Sequence, residues 1–235
     1  MNASAFTLQH GETELDRQRQ PYIVCAFYTD AYEEEVRALT TSLNQVGIDH
    51  HIRHYPDRGF WEANTRIKPE FIADCLERFA GRDIVYIDAD AVVRGALPLF
   101  DQIDCDIGVF KAPAEPEGGT RYSHPYLTGT LYLANNQKVR AFVEEWVRAQ
   151  AGMVLGVDQD SFAQALQVHP ELRLHPLPEA YVKIFDRGTE PALIEHFQAS
   201  RRQPKLQRRI KHWRNRILGI LFLLFLALLI VWIWG

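Results

Sequence analysis

Apolar and polar positions fall into short blocks along the first half of the chain. Tyr22 to Tyr28 is an almost wholly apolar run, which predicts a strand buried on both faces. Glu33 to Val46 carries Val36, Leu39, Leu43 and Val46 at helical spacing and stops at Gly47, which predicts an amphipathic helix. Asp49 to Tyr55 predicts a second strand. Pro69 to Phe79 begins on a proline, sets Phe71, Ile72, Cys75, Leu76 and Phe79 on one face and ends before Gly81, a second helix. Asp83 to Val93 (D-I-V-Y-I-D-A-D-A-V-V) predicts a third strand. Strand, helix, strand, helix, strand is the order of a parallel sheet with crossover helices. The predicted fold class is therefore α/β, Rossmann-like, with a mostly parallel central sheet and flanking helices.

The second half continues the pattern less regularly. Asp106 to Phe110 and Tyr126 to Ala134 predict strands, and Lys111 to Tyr126, with three Pro and two Gly, predicts a loop between them. A helix runs through Phe142, Trp146 and Val147, and Asp158-Gln159-Asp160 opens another. Leu172 to Leu177 and Tyr181 to Phe185 predict short strands before Pro191 to Phe197 leads into a tail of different composition.

That tail changes the picture of charge. The chain has 26 Lys and Arg against 30 Asp and Glu, but residues 201–216 hold eight basic residues and no acid. Residues 1–200 keep 18 basic and all 30 acidic residues, a net of −12. An acidic body argues against nucleic acid as a partner, and a basic tail suits an anionic membrane surface. Ile217 to Trp234 is uncharged; as a helix its 18 residues would span roughly 27 Å, with Trp213, Trp232 and Trp234 at its ends. The expected organisation is a polar N-terminal segment (1–20), a catalytic domain (21–200), a basic juxtamembrane segment (201–216) and a transmembrane helix (217–234). With the basic flank retained inside, the body is expected on the cytoplasmic side of the membrane. Cys25, Cys75 and Cys105 have no metal-ligand spacing and fit reduced, buried thiols.

Candidate chemistry centres on Asp88-Ala89-Asp90. In a strand the two carboxylates share a face, with Ala89 keeping the space between them open. Two such groups at a buried strand end repel unless a cation neutralises them, and Mg²⁺ or Mn²⁺ does so best. A lone D-x-D in an exposed turn is common; here the apolar residues on both sides favour the buried reading. In parallel sheets ligands bind beyond the carboxyl ends of strands, where these residues fall. Arg66 and Lys68 precede a helix N-terminus and are candidates for a nucleotide or donor phosphate, with solvated surface charge as the alternative. His50, His51 and His54 read as structural, because His51 points away from the other two along a strand.

Four pieces in order, the first strand ending at Asp30, the apolar run into Asp88-Ala89-Asp90, Tyr126-Leu-Thr-Gly-Thr-Leu-Tyr-Leu-Ala134 and Asp158-Gln159-Asp160, followed by Ile194-Glu195-His196, resemble the nucleotide-diphospho-sugar transferases of GT-A type. The resemblance is to their glycogenin-like, configuration-retaining group, across roughly residues 20–205. It implies a GT-A fold, a nucleoside-diphosphate-sugar donor and a divalent metal bridging the diphosphate. By the same resemblance Asp90 and His196 are metal ligands, Asp88 a ligand or ribose contact, and Arg202 a diphosphate contact. Asp30 is assigned to the nucleotide, Asp160 to the reacting sugar and Gly129 to the acceptor cleft. The family's late motif H-x-x-G-x-x-K is here His196-Phe-Gln-Ala199-Ser-Arg-Arg202, so Ala replaces Gly and Arg replaces Lys.

Three functions compete. A metal-dependent glycosyltransferase acting on a glycan or glycolipid at the cytoplasmic membrane face leads. A sugar nucleotidyltransferase would need a Gly-rich phosphate loop after the first strand, and Phe27 to Tyr32 has no glycine. A non-catalytic, membrane-tethered nucleotide-sugar-binding module would not need both Asp88 and Asp90. The sequence leaves the nucleobase, the sugar, the acceptor, the stereochemical outcome and the oligomeric state open.

Overall fold

The computed structural model describes residues 11–113, 124–153, 156–187, 191–202, 210, 212–214, 216–218 and 220. Ten strands are described: β1 (Glu12–Leu15), β2 (Tyr22–Tyr28), β3 (His50–His54), β4 (Asp83–Ile87), β5 (Ala91–Val93), β6 (Ile107–Lys111), β7 (Tyr126–Leu133), β8 (Leu174–Pro176), β9 (Lys183–Ile184) and β10 (Ile194–His196). Between them lie helices α1 (Glu33–Val46), α2 (Trp61–Thr65), α3 (Ile67–Arg78), α4 (Leu99–Gln102), α5 (Gln137–Ala151) and α6 (Asp158–Val168). Seven strands form the main sheet in the order β1-β3-β2-β4-β7-β6-β8, and β5-β10-β9 form a small second sheet.

The apolar runs of β2 and β4 are central because both faces of the sheet are covered. Val24, Val85 and Ile87 join Leu39 and Leu43 of α1 and Phe100 of α4 in one core. Ile23, Ile84 and Tyr86 join Phe71 of α3, Phe142 and Trp146 of α5 and Phe162 of α6 in the other. Period-two alternation in the strands thus feeds two layers of helices. α1 ends where expected: Gly47 takes a left-handed φ of 75°, and its N–H returns to Leu43 and Asn44.

The sheet is mixed, not mostly parallel. β3, β2 and β4 run parallel, as do β6 and β8, but β1–β3, β4–β7 and β7–β6 are antiparallel. Parallel neighbours need a crossover, and the Pro- and Gly-rich segment before Tyr126 has no helical period to supply one, so β7 returns antiparallel beside β6. β1 falls in the polar segment expected outside the fold; as an edge strand it is held by backbone pairing, with no apolar alternation to announce it.

The predicted loop between Lys111 and Tyr126 falls, at residues 114–123, outside the described residues. The apolar segment 217–234 lies outside them from residue 221 onward. Among the described residues no helix is long and apolar enough to cross a membrane; positions 210, 212–214, 216–218 and 220 are helical and exposed.

Candidate active site

Chain topology brings four segments to one cleft. β4 stops at Ile87, and Asp88-Ala89-Asp90 is a turn rather than a strand continuation: the Ala91 N–H bonds Asp88 O at 3.1 Å. Both carboxylates reach the cleft because the chain reverses there, not because of strand alternation. β7 lies antiparallel beside β4 with Thr130 opposite Ile87, so Gly129 O receives the Asp88 N–H at 2.8 Å. β10 lies antiparallel to β5 with His196 opposite Ala91, which returns His196 to the turn. The Phe197 N–H then bonds Asp90 O at 2.9 Å. Asp88, Asp90 and His196 each offer a ligand atom, all within 4.8 Å of one another.

In this trio one atom of each side chain is held by a neighbour and the other is left over. Asp88 Oδ1 accepts from the Tyr86 hydroxyl at 2.8 Å and pairs with Lys68 Nζ at 3.0 Å, leaving Oδ2. Asp90 Oδ2 accepts the Ala199 N–H at 2.7 Å, leaving Oδ1. His196 Nε2 meets Thr130 Oγ1 at 2.9 Å, leaving Nδ1. Gly129 keeps the space between them clear: a Cβ there would stand 3.1 Å from Asp88 Oδ2 and 3.2 Å from His196 Cε1. Two carboxylate oxygens and one imidazole nitrogen are a donor set for a divalent ion, with Mn²⁺ better suited to the nitrogen than Mg²⁺. The residues present therefore fit the metal that the resemblance implies.

Electrostatics agree. Burial, then the neighbouring Asp88 carboxylate, pushes the Asp90 carboxyl up to about 7. Burial pulls the His196 imidazole down to about 4, so it is neutral near pH 7. Lys68 is buried in the first turn of α3, beside Asp158 at 2.6 Å and Asp88 at 3.0 Å. Burial works against its charge, but the two carboxylates outweigh it and hold the ammonium above its usual range. Lys68 Nζ also reaches Thr128 O at 3.1 Å, and the Thr128 hydroxyl donates to Asp158 at 2.5 Å. Among the described residues the charged groups lining the cleft are thus Asp88, Asp90, Asp158 and Lys68. Fully ionised, they leave two negative charges unbalanced, which one divalent cation would neutralise.

The cleft holds about 1040 Å³ of free space including its mouth. It is also lined by Phe27, Tyr28, Thr29, Tyr32 and Trp61. Thr29 Oγ1 is buried there with no hydrogen-bond partner among the described residues, and the Trp61 indole donates to the Tyr32 hydroxyl.

Of the residues singled out in the sequence, Lys68, Asp88, Asp90, Gly129 and His196 line this cleft and Asp30, Arg66, Asp160 and Arg202 do not. Asp30 is exposed and bonds His54 at 2.6 Å. Arg66 sits at the junction of α2 and α3. Arg202 is exposed and pairs with Glu35, while Gln198 and Ser200 face the cleft. Asp160 turns back to accept the Val157 N–H at 3.0 Å and lies 3.3 Å from His124. Asp158 and Gln159 line the cleft instead. A signal for this existed: in D-x-D at a helix start, the acid in the third position is the one placed to cap the backbone, which frees the first.

No family model matches the sequence, and no curated protein matches it. Solved structures do. A glycosyltransferase involved in the glycosylation of the major capsid of PBCV-1 superposes with a TM-score of 0.60 at 13% identity, over 77% of this chain and 96% of that one. The apo form of the glycosyltransferase GlyE of Streptococcus pneumoniae TIGR4 gives 0.55 at 14% identity, over 76% and 55%. The bifunctional glycosyltransferase WbbM gives 0.53 at 15% identity, over 78% and 47%. The chain spans about half the length of GlyE and of WbbM. At these identities the likeness is one of fold: this chain has the fold of these glycosyltransferases.

Proposed function

We propose that the chain is a metal-dependent glycosyltransferase that moves a sugar from a nucleoside-diphosphate sugar to a glycan or glycolipid acceptor. One observation carries the reading: a cleft in a glycosyltransferase fold whose described lining carries two unbalanced negative charges, with Asp88, Asp90 and His196 each presenting a spare donor atom. A divalent cation bound there would stabilise the charge developing on a nucleoside diphosphate as it leaves. The aromatic lining, with the Thr29 hydroxyl, suits the nucleoside. Lys68 holds Asp158 and Asp88 in place. Asp158 and Gln159 are the groups we assign to the transferred sugar. The retaining outcome rests on the resemblance to the glycogenin-like group alone.

The test is calorimetry with Mn²⁺ and a panel of nucleoside diphosphates, followed by donor hydrolysis with the matching nucleotide sugars. Metal-dependent binding of one nucleoside diphosphate and release of its sugar are expected. Binding without turnover of any nucleotide sugar would favour a binding module; formation of a nucleotide sugar from a sugar phosphate and a nucleoside triphosphate would favour a nucleotidyltransferase.

The placement we propose is the cytoplasmic face of a membrane, through the basic residues 201–216 and the uncharged residues 217–234. A chain ending after Arg216 should be soluble, hydrolyse donor like the full chain and transfer poorly to a bilayer-embedded acceptor. Equal transfer by both chains would remove the tail from the function.

A further inference from the structure

Each of these three side chains in the cleft has two donor atoms, and a metal site needs the same one offered every time. For His196 the choice is a tautomer. Its ring is buried, and Nε2 lies 2.9 Å from Thr130 Oγ1. Among the described residues Nδ1 makes no hydrogen bond. A proton on Nε2 therefore has an oxygen to accept it, whereas a proton on Nδ1 would be left unpaired in a buried ring, an expensive arrangement. A proton on Nδ1 would also occupy the lone pair that a metal needs. Thr130 itself is fully buried and opposes Ile87, so its hydroxyl cannot swing into solvent.

We propose that Thr130 is a positioning residue: its hydroxyl accepts the Nε2 proton of His196 and thereby presents Nδ1 to the cation. The inference rests on the metal reading of the cleft. It adds a residue that touches neither donor nor cation, in the role that outer-shell partners of ligating histidines fill. Thr128, two residues back on β7, plays a parallel part for the Lys68–Asp158 pair. A Val at position 130 would fill the same volume without an oxygen, and a Ser would restore the oxygen.

The test uses the full-length protein in detergent micelles, with two readouts. The first is the ¹⁵N spectrum of ring-labelled histidine without metal, in which His196 is assigned by His196→Ala. The parent and Thr130→Ser should show His196 protonated at Nε2, and Thr130→Val should show a mixture of tautomers or a shift to Nδ1–H. The second is calorimetric titration with Mn²⁺ alone. Thr130→Val should bind roughly tenfold or more weakly than the parent, with Thr130→Ser within about threefold of it. A parent His196 protonated at Nδ1, or Thr130→Val binding Mn²⁺ as tightly as the parent, would overturn the inference. A parent that binds no Mn²⁺ would count against the metal reading, while the spectrum still decides the role of Thr130. If Thr130→Val fails to fold, Thr130→Ala, which also lacks the hydroxyl, takes its place in both measurements.

Discussion

Glu12, Glu14 and His51 stand as close together as Asp88, Asp90 and His196: in each trio the candidate ligand atoms lie within 4.8 Å of one another. What surrounds them differs. At the edge of the sheet, Arg78 spans both carboxylates, with Nη1 3.0 Å from Glu12 and Nη2 2.7 Å from Glu14. His51 Nδ1 faces the same two oxygens at 3.3 and 3.2 Å, its ring stacked on Phe71. That trio carries its own cation and does not line the cleft. In the cleft the local cation, Lys68, takes only one oxygen of Asp88 and spends its other contacts on Asp158 and Thr128. Ligand types at the right spacing are thus common to both; an arginine spans the two carboxylates of the edge trio and leaves one negative charge over, whereas the described lining of the cleft is left with two.

The comparison breaks most sharply at Asp90. Asp90→Asn keeps the acceptor for the Ala199 N–H but removes a charge, and donor turnover in Mn²⁺ should fall more than about a hundredfold. Glu12→Gln or Glu14→Gln should leave it within about twofold. Turnover in Asp90→Asn within a fewfold of the parent would end the distinction between the trios.

The same substitution should act oppositely on stability without metal. The Asp90 carboxyl is raised to about 7 in the fold by burial and by Asp88. A raised acid contributes stability that is complete below its unfolded value and is lost as pH rises through the folded one. Between about pH 4 and 7 the metal-free parent therefore loses up to about 4 kcal/mol at this site. Asp90→Asn avoids that loss. Its melting temperature in chelator should exceed the parent's at pH 8 and match it near pH 4; a lower value at pH 8 would mean the carboxylate is compensated in some other way.

A smaller effect is expected at Gly129, which has no counterpart in the edge trio. An added Cβ would crowd Asp88 Oδ2 and His196, so Gly129→Ala should weaken Mn²⁺ binding about tenfold, read by calorimetry, with little change in the melting temperature of the metal-free protein. Unchanged affinity would show that the ligands move aside freely.

How much of this was legible in the sequence depends on whether a signal was local. β2, α1, α3 and β4 announce themselves because each has a full apolar period and a terminator such as Gly47 or Gly81. β1 does not: Glu12 to Leu15 pairs through its backbone, and its acidic side chains carry no strand period. The antiparallel pairings of β4 and β6 both run through β7, whose direction no local pattern announces. Within the cleft, Asp88, Asp90 and His196 could be picked out by motif order. Tyr86 and Thr130 could not, since their roles arise only when β4, β7 and β10 meet, whereas Asp158 could have been taken over Asp160 from its place at the helix start. Arg202 and Asp30, charged residues beside a motif, pair with Glu35 and His54, which lie at the surface and not in the lining of the cleft.

The smallest expected effect, and the one that sharpens the comparison most, is at Arg78. If the edge trio is satisfied because the guanidinium bridges it, Arg78→Met should expose two carboxylates to each other while keeping much of the side chain's apolar contact with Phe79. Arg78 is about half exposed, so solvent screens most of the pairing and the loss at pH 8 should be only about 1 kcal/mol. His51 then gives the pH dependence its sign. Burial first, and Arg78 second, hold its imidazole below the usual range, so in the parent it resists charging as pH falls. Removing Arg78 lifts one of those restraints, and a protonated His51 can neutralise the carboxylates in its place. The stability gap between Arg78→Met and the parent should therefore narrow from pH 8 to pH 5.5, measured by urea unfolding. The variant should also gain a weak second Mn²⁺-binding event by calorimetry, absent from the parent. A gap that does not change with pH, with no second event, would mean that Arg78 acts through packing and that charge balance is not what separates the two trios.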